Sequence, residues 1–218
     1  MAEGLTDRRL PHHSKSPTLQ YSRRLPAVRV ALVLALFVGN GCNTQTASKG
    51  EKEVNAPTSI NLRSEAFQAG QPIPVKHTGE GEDVSPPLTW DGVPSGAAQL
   101  ALICDDPDAP TDEPWVHWVI YRIPGDVRAL NEGLAPTPQL ESPSGALQGR
   151  NSWPQGQTTG YRGPLPPPGH GVHHYHFKIY ALDTALNLEP GLDKKVLLEA
   201  MSDHVLAEGE LIGTYERK

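Results

Sequence analysis

The chain has 218 residues, 37% of them hydrophobic, and its 19 Lys and Arg against 25 Asp and Glu give a formal charge of −6. That is enough apolar chain for one sizeable core. The acidic balance lacks the Lys/Arg footprint that nucleic-acid phosphates demand, and it disfavours spontaneous docking on anionic lipid.

Residues 1–29 hold six basic residues against two acidic, followed by the apolar VALVLALFV (Val30–Val38) and then GNGCN. A basic region, a short apolar run and small residues ahead of a cleavage point describe a secretory signal. The run is too short to span a bilayer, which needs roughly 20 residues. Cysteine directly after Gly-Asn-Gly reads as a bacterial lipoprotein processing site, although Gly39 stands where a leucine-like residue is usual. Residues 1–41 are then a lipoprotein-type signal peptide. Cys42 is the lipidation site, and the product lies outside the cytoplasm, anchored in the membrane by lipid. Removing residues 1–41, with their six basic and two acidic residues, leaves a more acidic chain at −10. The second cysteine, Cys104, has no partner for a disulfide within the domain. It reads as a small buried hydrophobe.

Residues 42–59 are polar and aperiodic, a flexible tether. The folded domain is predicted over 60–218. INLRSEAF, QPIPVKHT, PPLTWDGVP, QLALICDDP, WVHWVIYRIP and HYHFKIYALD have the length and composition of strands, separated by Pro/Gly turns. Between Leu130 and Gly171 lies a long Pro/Gly-rich loop, a length that in a compact domain marks function or mobility. Leu192, Val196, Leu197, Ala200, Met201, Val205 and Leu206 then recur at helical spacing, predicting a helix that ends near Gly209 before a short last strand, ELIGTYER. The fold class is mainly β: an antiparallel β-sandwich with a C-terminal helix and a long Pro/Gly-rich loop.

Four histidines fall within seven residues, His170 to His176. On a strand, alternate residues face opposite sides. His173, Tyr175, Phe177 and Ile179 share a face that runs from polar to apolar, as expected for a strand that lines a cavity and then enters a core. Val172, His174, His176, Lys178 and Tyr180 share the other, solvated face. In WVHWVIYRIP the same rule puts Trp115, His117, Val119, Tyr121 and Ile123 together. His117 there is either a core histidine satisfied by a carbonyl or a site residue. DDPDAP delivers Asp106 and Asp108 to a rigid turn at a strand end, which is either turn chemistry or a pair of site carboxylates.

Taken together and in order, SPPLTWDGVPSGAAQLALICDDPDAP, WVHWVIYRIPGDVRALNEG, GRNSW, GYRGPLPPPG and HHYHFKIYALD resemble the phosphatidylethanolamine-binding protein family, in its bacterial Raf-kinase-inhibitor-like branch. The resemblance runs from about Ile60 to the C-terminal LAEGELIGTYER. It implies a β-sandwich of antiparallel sheets and a small, largely preformed pocket for phosphate or a phospholipid headgroup. By position it implies Asp106, Asp108, His117, His173 and Tyr175 as ligand-binding residues, with Gly163 and Pro164 in the pocket wall. The family's Cys in a Gly-Pro-Cys-Pro-Pro run is replaced here by Leu165. The resemblance also implies pairing as a homodimer.

Such a set suits an oxyanion: two imidazoles donate N–H groups, a phenol donates its O–H, and Asp106 orients an imidazole. Binding to protonated imidazole predicts tighter binding below about pH 7. The function expected is therefore a non-enzymatic binding protein with a small anion pocket and no cofactor, resident metal or nucleic-acid partner. Two alternatives stand beside it. One is inhibition of an extracytoplasmic hydrolase or protease, an unidentified protein target met through the 130–171 loop. The other is a histidine-based metalloenzyme, using the His174–His176 pair or His117, His173 and Asp106. Neither a G-x-S-x-G elbow nor a phosphate-cradling G-x-x-x-x-G-K-[ST] loop occurs.

Overall fold

The computed structural model describes residues 58–218. The signal peptide, Cys42 and the tether up to residue 57 lie outside the described residues. Nine strands and one α-helix follow: β1 Thr58–Ser59, β2 Asn61–Arg63, β3 Leu88–Asp91, β4 Gln99–Asp106, β5 Trp115–Pro124, β6 Ala129–Leu130, β7 Leu147–Gln148, β8 Val172–Leu182, α1 Lys194–Met201 and β9 Val205–Glu216. Thr58 and Ser59, which the sequence reading leaves in the tether, already pair with Ala207 and Glu208.

The strands form a six-stranded sheet in the order β1-β9-β8-β4-β5-β7 and a three-stranded sheet in the order β2-β3-β6. All pairings are antiparallel except the short β1–β9 contact. The larger sheet is buried on both faces at its centre. Leu100, Leu102 and Cys104 of β4 pack with Trp118 and Ile120 against Leu62, Leu88, Trp90 and Leu130 of the smaller sheet. Ala101 and Ile103 of the same strand point the other way, with Val119 and Tyr121, under Leu197 and Met201 of α1. A strand covered on both sides reads as a continuous apolar run, which is why LALIC lacks alternation. Cys104 is one of these core residues, and burial pushes its thiol well above the usual range.

The helix is shorter than the periodicity predicts. Asp193 caps it, its side chain accepting from Val196 N at 2.9 Å, and it stops at Met201. Val205 and Leu206 belong instead to β9, which pairs along the whole of β8. Both residues satisfy the helical spacing, but β9 takes them: Val205 pairs with Leu182 and Ala207 with Ala181, and Leu206 is the extra residue of the irregularity between them. Gly209 is not a helix stop. It sits in β9 where the backbone of Ile60 crosses so closely that a Cβ would lie 2.1 Å from the Ile60 carbonyl oxygen.

The long 130–171 segment is held along the free edge of β5. Gly149 N donates to Val119 O at 2.9 Å, Ser152 N to Val116 O at 2.8 Å and Arg162 N to His117 O at 3.0 Å. The fully buried Gln148 fastens it from within. Gln148 accepts from Trp118 Nε1 and donates to the carbonyls of Ala135 and Thr137, each bond 2.8 Å long.

Candidate functional site

His117 owes its position to an irregularity in β5. Cys104 pairs with Trp118, but Asp105 pairs with Val116, so His117 is the extra residue of a β-bulge. Bulges re-aim side chains and gather beside functional sites. Here the bulge turns the His117 ring to the side of Tyr175, with ring centroids 5.0 Å apart. Val119 and Tyr121 face the helix on the opposite side. The sequence expectation of one shared face from Trp115 to Ile123 is therefore corrected. A second register shift, between Leu100 and Leu102, restores Ile123 to the inner core.

In β8 the alternation holds. His173, Tyr175, Phe177 and Ile179 are all buried, while Val172 and His174 are exposed. Asp106, the last residue of β4, reaches the same end of the sheet. There Asp106, His117, His173 and Tyr175 share a cavity of about 200 Å³. Trp115 also lines it, and the far wall comes from the turn after β4 and from the long loop: Thr111, Trp153, Leu165, Pro166 and Pro167.

Three hydrogen-bonding facts define the chemistry. His173 Nδ1 donates to Asp106 Oδ2 at 2.7 Å, and its Nε2 lies 2.8 Å from His170 Nδ1. The other Asp106 oxygen accepts from Asp108 N at 2.8 Å, so the carboxylate is fixed at both ends. His117 Nδ1 lies 2.6 Å from Arg162 O, and a carbonyl can only accept, so this nitrogen carries the proton. Burial pushes the His117 pKa down from 6.5 to about 4 despite that bond, leaving the ring neutral at physiological pH with an Nε2 lone pair. Tyr175 is fully buried, and among the described residues its hydroxyl is the one buried side-chain polar atom without a partner. Burial, followed by the nearby Asp106 charge, pushes its pKa far up and keeps it a donor.

Not every predicted site residue is here. Asp108 turns away from the cavity: its Oδ2 accepts from both the backbone N and the Nδ1 of His174, at 2.8 and 2.7 Å. Gly163 and Pro164 do not line the cavity either, and Leu165 to Pro167 take that place. Gly163 is where the chain passes the backbone of His77, so tightly that a Cβ would sit 2.1 Å from His77 O. Its N–H donates to Asp83 Oδ1 at 2.6 Å. Pro164 O accepts from Gly79 N at 2.9 Å. Both residues seat the wall without touching the cavity.

His174 and His176 each pair with their own carboxylate, Asp108 and Glu210, rather than converging. Among the described residues no group of three or more His, Cys, Asp or Glu is arranged to hold a metal ion. Asp105, buried next to Asp106, points to the opposite face and is held by Lys194 and by Lys178, whose Nζ lies 3.6 Å away. The sequence reading misses Trp153, Thr111 and His170. Trp153 packs edge-on to both Trp115 and His117, at 5.4 and 5.0 Å, with the Arg162 guanidinium 4.5 Å above its ring. The GRNSW motif was its only signal.

The family model described as phosphatidylethanolamine-binding protein matches residues 63–216. A UPF0098 protein of Methanothermobacter thermautotrophicus is 52% identical over 158 residues, which cover 72% of this chain and 99% of that one. The candidate lipoprotein LppC of Mycobacterium tuberculosis is 34% identical over 216 residues, covering 93% and 99%. Among solved structures, the phosphatidylethanolamine-binding protein homolog CT736 of Chlamydia trachomatis superposes with a TM-score of 0.64 at 41% identity, over 73% of this chain and 99% of that one. Escherichia coli YbcL, described as a member of the mammalian family, gives 0.67 at 32% identity over 75% and 100%. With a matched model spanning nearly all of β2 to β9, and relatives this similar over almost their whole length, the chain belongs to the phosphatidylethanolamine-binding protein family.

Proposed function

We propose that this protein is a non-enzymatic, extracytoplasmic binding protein that holds a small anion, a phosphate or a phospholipid headgroup, in the Tyr175 cavity. The observation that carries this reading is Tyr175, a residue of the cavity wall whose buried hydroxyl has no partner among the described residues. A buried hydroxyl left unpaired costs about 1–3 kcal/mol, and a ligand oxygen supplies the acceptor it lacks. The volume of about 200 Å³ accommodates an inorganic oxyanion or a headgroup. The His173–Asp106 pair gives a rigid wall, and the strands that carry it support a preformed site.

Binding is favoured over catalysis because the wall offers no activated nucleophile. Its hydroxyls are that of Tyr175, kept protonated, and that of Thr111, which donates to Glu113 O at 2.7 Å. Export with lipidation at Cys42 is supported by the similarity to LppC. Coverage of 93% of this chain leaves too few residues out for that match to be confined to 58–218. Calorimetry with inorganic phosphate tests the pocket: heat from the wild type and none from Tyr175→Phe is the expected result. Equal heats from the two proteins reject the site. Membrane fractionation tests the anchor, since Cys42→Ser releases the protein into the soluble extracytoplasmic fraction if Cys42 carries the lipid.

A further inference from the structure

We propose that His170 is a built-in latch on the cavity: its ring holds the His173 nitrogen that a guest would otherwise use, and a ligand binds by displacing it. This inference rests on the anion-pocket reading above and names how that site is regulated.

His173 lines the cavity, yet it spends both ring nitrogens on the protein. Its Nδ1 donates to Asp106 Oδ2 at 2.7 Å, so Nε2 is the ring atom left to offer a guest. His170 Nδ1 lies 2.8 Å from that Nε2, with the two ring centroids 5.0 Å apart. The contact serves either protonation state of His173. A neutral ring accepts at Nε2 and a protonated ring donates there, and His170 meets each with the matching tautomer.

The two partners are held very differently. His173 is 1% exposed and sits in the β8–β9 ladder opposite Tyr215. His170 is exposed, on a turn that leaves the cavity wall at Pro167 and returns to it at His173. Gly169 and Gly171 flank it with φ of +73° and +92°, the left-handed region that glycine enters without steric cost. An added Cβ would meet nothing within 4 Å at either glycine, so the turn has open space around it. Two backbone bonds tie the turn down, Gly169 N to Arg217 O at 3.0 Å and His170 N to Pro167 O at 3.2 Å. Neither of them holds the His170 ring. The Arg217 side chain is engaged elsewhere, its Nε donating to Glu80 Oε1 at 3.1 Å.

An exposed side chain between two such glycines swings at little cost, whereas a buried strand histidine does not. Displacement therefore moves His170 and leaves the rest of the wall in place. A guest oxygen that takes over Nε2 exchanges one hydrogen bond for another. The latched population lowers apparent affinity by the fraction of molecules it withholds from binding.

Calorimetry with inorganic phosphate on the full chain, at one fixed pH, compares the wild type with His170→Ala and His170→Asn. Asparagine places an amide atom where the His170 Nδ1 sits and can keep the bond to His173. The expected result is phosphate binding about two- to tenfold tighter in His170→Ala, the range that one net hydrogen bond spans, and within about twofold of the wild type in His170→Asn. Binding by His170→Ala that is no tighter than wild type overturns the latch and leaves the anion pocket standing. So does an equal gain in His170→Asn, which would trace the effect to bulk rather than to the bond. No heat from any of the three proteins overturns both.

Discussion

The rings of His117 and Tyr175 meet edge to face, with centroids 5.0 Å apart and planes at 83°, across the strand β4 that separates their own strands. The contact exists because a bulge in β5 hands His117 to the inner side of the sheet just where β8 enters the core. It places a neutral acceptor beside a donor that has no partner in the protein, and the functional account is built on that juxtaposition.

His117 makes stability depend on pH in a definite direction. The unfolded chain takes up this proton near 6.5, the folded chain only near about 4. Between those values the unfolded state binds more protons, so stability is full above pH 6.5 and declines as pH falls towards 4. The contribution lost is of order 3 kcal/mol at most. Urea unfolding at steps from pH 7 to 4.5, for the wild type and His117→Gln, should show a steeper acid decline in the wild type. Parallel profiles contradict the buried neutral assignment.

Asp106 is expected to matter for the fold as well as the pocket. Asp106→Ala removes the acceptor of His173 Nδ1 and of Asp108 N together. The buried His173 ring and the part-buried Asp108 N–H then lose their partner, and chemical denaturation should report a loss of about 2–4 kcal/mol. A change below about 0.5 kcal/mol would mean that His173 is held by its neighbours in the strand alone.

Gln148 is a test of how the long loop is kept. Gln148→Ala deletes three hydrogen bonds of a buried side chain that tie Trp118 to Ala135 and Thr137. A loss of roughly 2–4 kcal/mol and faster proteolysis within 130–171 are expected. Wild-type resistance to protease would show that the backbone bonds to β5 suffice to hold the segment.

How much of this was legible in the sequence differs strand by strand. In β8 strict alternation selects His173 and Tyr175, and the structure buries both. In β5 the same rule fails, because a bulge is set by how two strands register and leaves no mark in the hydropathy of either one. Val205 and Leu206 fit helical and extended periods alike, and only the ladder with β8 decides between them. Asp108, Gly163 and Pro164 carry the right residue types in the right motifs. One pairs with His174 and the other two pack against the chain at His77 to Gly79, contacts that depend on how loops fold back. Trp153 enters the wall by the same route, through a loop that sequence periodicity does not describe.

The claim that the Tyr175 hydroxyl is kept for a ligand is tested most directly by Tyr175→Phe, measured for both stability and phosphate binding. Losing an unpaired buried hydroxyl is predicted to leave the ligand-free fold as stable as the wild type or up to about 1–3 kcal/mol more stable, while phosphate binding disappears. A variant that binds phosphate as the wild type does, or whose ligand-free fold is weakened by the loss of the hydroxyl, contradicts the account.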